Sequence, residues 1–180
     1  MVHWIYSKND KNTHRYALGE TGERIIACLG INPSTASPEK LDRTMESVKR
    51  IANNNGYDGW LMFNVYSQRA TKPEDLDQTL NNTYHQENLN QIRNVINEFN
   101  IQTLWLAFGD LIEFRSYLIN CLYDIYLQLK PLELKYVIVQ EPSIKGHPKH
   151  PLYKPASSCF NKFDFDQYIH KVIRPLLDKK

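Results

Sequence analysis

The sequence predicts an α/β fold in which a central, mainly parallel four-stranded sheet carries helices on both faces. Two observations predict it. Strand-length apolar runs alternate with segments whose apolar residues recur at helical spacing. The strand runs are also continuously apolar, as in strands covered on both sides. Length is consistent with this, since 180 residues can bury a substantial core. No internal repeat, low-complexity tract or Gly/Ser linker divides the chain, so a single domain over residues 1–180 is expected.

In chain order, residues 4–6 and 14–18 across a polar turn suit a short hairpin. Residues 24–31 form the first buried strand, ending at Asn32-Pro33. Ser37-Pro38-Glu39 reads as N-cap, first-turn proline and first-turn acid, followed by Leu41, Met45, Val48 and Ile51 at helical spacing. Asn55-Gly56 ends that helix, and residues 59–66 are the second strand. Thr83-Tyr84-His85-Gln86 resembles a capping box ahead of the stripe Leu89, Ile92, Val95, Ile96 and Phe99. Residues 101–108 are the third strand, and Asp110 is placed to cap a helix carrying Leu111, Phe114, Leu118, Leu122 and Ile125. Residues 134–139 are the fourth strand, and Ile169, Val172, Ile173 and Leu176 mark a final helix.

Composition is that of an ordinary globular protein, 42% hydrophobic and 23% charged. The apolar runs are too short to span a bilayer, and residues 1–12 lack a secretory pattern, so a cytoplasmic protein without membrane association is expected. Cys28, Cys121 and Cys159 are odd in number and widely spaced, which argues against a disulfide framework or a metal cluster, and no cofactor is expected. Net charge is only +2, but residues 145–154 hold three lysines and two histidines and no acid. Such a run suits phosphate contacts, although a solvated basic loop has the same composition.

Ligands of open α/β sheets bind beyond the carboxyl ends of the strands. Four clusters fall there: Gly30-Ile31-Asn32-Pro33-Ser34-Thr35, Asn64, Phe108-Gly109, and Gly146-His147-Pro148-Lys149-His150-Pro151-Leu152-Tyr153. Each alone has an ordinary explanation. Asn32 suits a local turn, Asn64 can satisfy loose backbone, and Gly109 eases a tight turn. His147 and His150 lie among prolines in a loop, so neither looks like a core histidine, although a lone loop histidine is more often decoration than catalyst.

In combination these clusters resemble the uracil-DNA glycosylase superfamily. Gly30-Ile31-Asn32-Pro33 is similar to the first motif of its mismatch-specific branch, and Leu61-Met62-Phe63-Asn64 to the second-strand motif. The run from Leu104 to the Phe108-Gly109 pair resembles the third strand, and His150-Pro151-Leu152 the last motif. The chain is also similar to a bacterial family of unassigned function with Asn-Pro-Ser-Thr-Ala and His-Pro-Leu-Tyr motifs. The superfamily resemblance implies a three-layer α/β/α domain with its four strands in the order 2-1-3-4. It implies uracil excision from single- or double-stranded DNA, with Asn32 positioning water and His150 stabilising the departing base as the catalytic pair. His147 competes for the second role, and His150 is favoured because Leu152 follows it in the expected register. Asn64 would read the uracil edge, with Ile31, Pro33, Ser34, Phe63 and His147 around the base. Lys145, Lys149 and Lys154 would meet DNA, with Leu152 as the wedge that replaces the flipped base. No metal enters.

The chemistry suits these residue types. Uracil leaves as an anion while the sugar gains positive charge, so an oriented water and a donor at the leaving oxygen suffice. The sequence departs from the superfamily in having no Phe or Trp between Pro33 and Tyr57 to stack on the base. Asp42, Thr44, Arg50 and the run from Arg69 to Pro73 are left unexplained by the resemblance. Three alternatives remain open on the residues alone: a non-catalytic module that binds a flipped base or single strand, a hydrolase of free nucleosides or nucleotides, and an unrelated α/β activity.

Overall fold

The computed structural model describes residues 3–179. Its strands are β1 (Trp4–Lys8), β2 (Arg15–Glu20), β3 (Ile25–Gly30), β4 (Gly59–Asn64), β5 (Thr103–Leu106), β6 (Lys135–Val139) and β7 (Phe160–Lys162). They form one α/β sheet in the order β1-β2-β4-β3-β5-β6-β7. The central four, β4-β3-β5-β6, are parallel and are the four marked by the apolar runs, in the expected order. The sheet is nevertheless seven-stranded, not four-stranded. The N-terminal hairpin forms, and its second strand pairs antiparallel with β4, while β7 pairs antiparallel with β6. An exposed edge of β4 or β6 would leave a row of unpaired amides and carbonyls, and these added strands cover the middle of β4 and the carboxyl end of β6.

The helices are α1 (Arg43–Asn54), α2 (Asn82–Glu98), α3 (Ser116–Leu129), α4 (Phe165–Tyr168) and α5 (Arg174–Leu177), the last two joined through a π-helical turn (Ile169–Ile173). Helix α1 covers one face of the sheet, where Met45, Val48 and Ile51 meet Ile26, Cys28, Trp60, Met62 and Trp105. Helices α2 and α3 and the C-terminal segment cover the other face, against Leu29, Leu61, Phe63, Leu104 and Leu106. No helix among the described residues is long and apolar enough to cross a membrane.

Three helix starts differ from the sequence pattern. Ser37 does not cap α1; Ser37 and Lys40 exchange backbone hydrogen bonds in a closed turn, and Asp42 accepts from the Met45 N–H instead. Helix α2 begins with Asn81 as its cap, before the predicted Thr83. Residues Asp110–Glu113 form a separate 3-10 turn, and α3 starts only at Ser116. Leu111 and Phe114 therefore leave the helical stripe and stand 42% and 38% exposed.

The joint between hairpin and parallel core depends on one close approach. Gly19 of β2 pairs with Leu61 of β4. A Cβ at Gly19 would overlap the Trp60 carbonyl oxygen and lie 2.6 Å from the Leu61 Cα, both of them backbone. Backbone cannot swing aside, so the strands would have to separate. Gly19→Ala is expected to lower the urea midpoint with an unchanged slope, a loss of about 3 kcal/mol by the usual cost of overpacking. An unchanged midpoint would mean that β2 is not held this tightly.

Candidate functional site

Chain direction positions the cleft. The connection from β3 to β4 runs through α1 on one face, and that from β5 to β6 through α3 on the other. The chain ends leaving β3 and β5 therefore part company, which opens a crevice at their carboxyl ends. A cavity of about 550 Å³ lies there. The loop after β3 contributes Ile31, Asn32, Ser34 and Thr35 to its wall, β4 contributes Met62, and the loop after β6 contributes His150 and Leu152. A second cavity of about 420 Å³, with Phe108, Gly109, Glu113, Phe114 and Lys145, adjoins it through shared Leu111 and His150. His150 thus stands on the ridge between the two.

Asn32 is held in one orientation. Its Nδ2 donates to the Pro33 carbonyl at 3.0 Å and to the Ala70 carbonyl at 2.8 Å. Both amide protons are thereby used, and the acceptor Oδ1 remains as the group available to the cleft. Pro33 is buried and serves this anchoring instead of lining the cavity. Ser34 does line it, its hydroxyl 3.1 Å from that of Thr71.

The two histidines play different parts. His150 accepts the Leu152 backbone N–H on Nδ1 at 3.2 Å, which leaves the ring proton on Nε2 as a donor. Burial pushes its imidazole below the ordinary value, against a weaker opposing pull from Asp42, so the ring is neutral at pH 7. His147, expected beside the substrate, is instead a core residue with no exposure. Its Nε2 donates to Glu113 at 2.8 Å and its Nδ1 accepts from the Tyr168 hydroxyl at 2.8 Å. That donation, aided by Lys145, holds the Glu113 carboxyl below its usual range despite partial burial. His147 therefore ties the loop after β6 to the 3-10 turn and to α4.

Asn64 and Phe63 divide in the same way. Alternation along β4 sends Phe63 into the core under α2 and α3, away from the cleft, so it is removed from the expected base contacts. Asn64 points to the α1 side with Met62. Gly30 is its register partner, and the Asn64 Oδ1 would lie 3.1 Å from a Cβ there, in a space shared with the Met62 Cε. Asn64 is buried, and neither its Oδ1 nor its Nδ2 has a partner among the described residues. It is not among the residues lining the cleft, whereas its neighbour Met62, itself buried, is.

The basic loop is partly engaged already. Lys145 is 3.6 Å from Glu113, and Lys154 donates to Gln140 at 3.0 Å. Lys149 is half-buried and lies outside both cavities. Leu152 is half-buried in the cleft wall and does not project as a wedge would. Its neighbour Tyr153 does, 79% exposed in the left-handed region at φ 62°. Sequence reasoning missed Arg15, Asp42 and Leu111 as lining residues. The motifs give Asp42 no role, and nothing in the local pattern of β2 distinguishes Arg15.

In comparison with known proteins, residues 15–152 match a family described as "Protein of unknown function (DUF1643)". No curated protein matches the chain.

The contrast between the histidines is measurable. His147→Ala leaves Glu113 and Tyr168 without their partner and opens a cavity, and should cost about 3 kcal/mol. His150→Ala should cost less than about 1 kcal/mol, because one weak bond is lost at a half-buried position. Equal losses in urea melts would contradict this assignment. The lowered value of His150 also gives stability a sign. Between its folded value and about 6.5 the unfolded chain binds more protons. Its contribution is therefore complete above about pH 6.5 and is lost as pH falls through the folded value. The thermal midpoint should drop from pH 7 to pH 5, and His150→Asn should flatten that slope.

Proposed function

The chain belongs to the DUF1643 family, and from the cleft its residues build we propose that it hydrolyses the N-glycosidic bond of uracil, or a related damaged base, in DNA. One observation carries the reading: a single cleft is lined by an asparagine with its donors tied back and a neutral histidine with its donor free. The reaction needs an acceptor to orient water toward C1′ and a donor at the base oxygen. Water adds to C1′ as the C1′–N1 bond breaks, and the bonding pair leaves on the base, spread onto its carbonyl oxygen. Asn32 Oδ1 is the acceptor and His150 Nε2–H the donor. A neutral amide cannot keep the proton, which passes to solvent or to the departing base. The parallel core in the order β4-β3-β5-β6, with the two residues after β3 and β6, agrees with a uracil-DNA glycosylase-like fold.

Asn64 supports the same reading. A buried amide with neither group bonded is costly, and a base edge with adjacent N–H and C=O groups is a ligand that would satisfy both. Reaching it requires Met62 to move from the cleft wall. The substrate strand would run past Lys149 and Lys154, with Tyr153 projecting beside it.

The test is single-turnover release of base from labelled uracil-containing oligonucleotides, with abasic sites cleaved by alkali. Asn32→Ala and His150→Ala should each slow release on the order of a hundredfold, with DNA affinity nearly kept. Asn64→Asp should shift preference toward cytosine-like edges. Lys149→Ala and Lys154→Ala should weaken binding and flatten its salt dependence. Retention of uracil-containing DNA without base release would replace the enzyme with a flipped-base binding module. Release at wild-type rates from both Asn32→Ala and His150→Ala would remove the catalytic pair.

A further inference from the structure

We propose that the same cleft contains a built site for a phosphate group, centred on the guanidinium of Arg15. The inference deepens the reading above by naming a ligand group for its cleft, and phosphate affinity can be measured apart from base release.

Arg15 opens β2, is 1% exposed, and lines the cleft. Its Nη1 donates to the Ala36 carbonyl at 3.0 Å, while its Nε is buried without a partner among the described residues. No carboxylate among those residues lies within 4.0 Å of it. A second cation stands beside it. Arg69 donates to the Ser34 and Ala36 carbonyls and to the Tyr6 hydroxyl, and its Nε is likewise buried and unpartnered. Burial first, and then the repulsion of Arg69, bring the Arg15 pKa down to about 10, against weaker opposing pulls from Asp42 and Tyr6.

A buried cation with no carboxylate in contact is strongly unfavourable, and a second, half-buried cation on the same carbonyl adds to the cost. Holding the Ala36 carbonyl does not require charge, since any neutral donor would serve. A bound anion does require it. Ser34, Thr35, Thr44 and Thr71 bring hydroxyls to the same cavity, and Arg43 at the start of α1 adds an exposed cation. Asp42 is the acid on this wall, and its Oδ1 is used in capping Met45. A forked, planar donor among hydroxyls fits a tetrahedral group with several acceptor oxygens. That group belongs either to a free nucleotide or to the backbone of a nucleic acid.

Calorimetry at constant ionic strength decides the matter, comparing 2′-deoxyuridine, its 5′-monophosphate and a dinucleotide containing one internal phosphodiester. At least one phosphate ester should bind ten times more tightly than the nucleoside. A stronger monophosphate identifies a free nucleotide as the source, and a stronger dinucleotide identifies the nucleic-acid backbone. Arg15→Lys, which keeps the charge but loses the fork, should reduce the advantage about tenfold. Arg43→Gln, at an exposed position that cannot disturb the core, should reduce it about threefold and covers the case in which Arg15→Lys is unstable. The proposal is overturned if the nucleoside binds as well as both esters. It is also overturned if the phosphate advantage follows Lys149→Ala but neither arginine substitution. A protein that prefers phosphate esters yet releases no base would keep this site and lose the excision reading.

Discussion

Beyond Ile31 the chain leaves the sheet, and the carbonyls of Pro33, Ser34 and Ala36 must be met by other donors. Three side chains meet them: the Asn32 amide at Pro33, Arg69 at Ser34, and Arg15 together with Arg69 at Ala36. Asn32 also reaches the Ala70 carbonyl, and the Ala70 N–H returns to Pro33 at 2.8 Å. The loop after β3 is thereby bound to the loop after β4 and to the hairpin. Backbone groups turned away from water must be paired, so this network sets the position of one wall of the cleft. The same bonds that hold the wall also orient Asn32 and bring Arg15 to the edge of the cavity, with Arg69 behind the shared Ala36 carbonyl.

The opposite wall is set by His147. Its bonds to Glu113 and Tyr168 join the loop after β6, the 3-10 turn after β5 and α4. Ser143 adds a 2.6 Å bond to Asp110, and Gly109 donates to the Pro148 carbonyl. Three residues beyond His147, His150 is left free to face the cleft with one ring nitrogen fixed by Leu152. A buried histidine and a cleft histidine so close together divide the work between holding the loop and presenting a donor.

The central sheet was legible because a strand buried on both faces must be apolar throughout. Residues 24–31, 59–66, 101–108 and 134–139 carry that pattern, and β3, β4, β5 and β6 lie within them. The sheet edges were less legible. The three residues of β7 are too few to show a period, and the pairing of β2 with β4 is made between segments some 40 residues apart. Helix caps moved because Asp42 and Asn81 compete locally with Ser37 and Thr83, and side-chain geometry decides between near-equal candidates. Of the residues lining the cleft, Ile31, Asn32, Ser34, His150 and Leu152 were readable from their position after the strands. The exclusion of Phe63 follows from strand alternation only once the side taken by each helix is known.

The sequence by itself determined the elements and the end of the sheet at which polar residues collect, since hydrophobic period and turn chemistry are local properties. Tertiary structure alone decided which polar residues face the cleft. Arg15 meets a carbonyl 21 residues away, His147 meets Tyr168 at the same separation, and Asn88 reaches the Asn64 carbonyl across 24 residues. Burial of a polar group depends on partners brought from distant segments, and no local pattern encodes that encounter. Residue types therefore announced the chemistry available, and packing assigned Arg15 to the cleft, His147 to the core, and Asn64 to a buried position beside Gly30 and Met62.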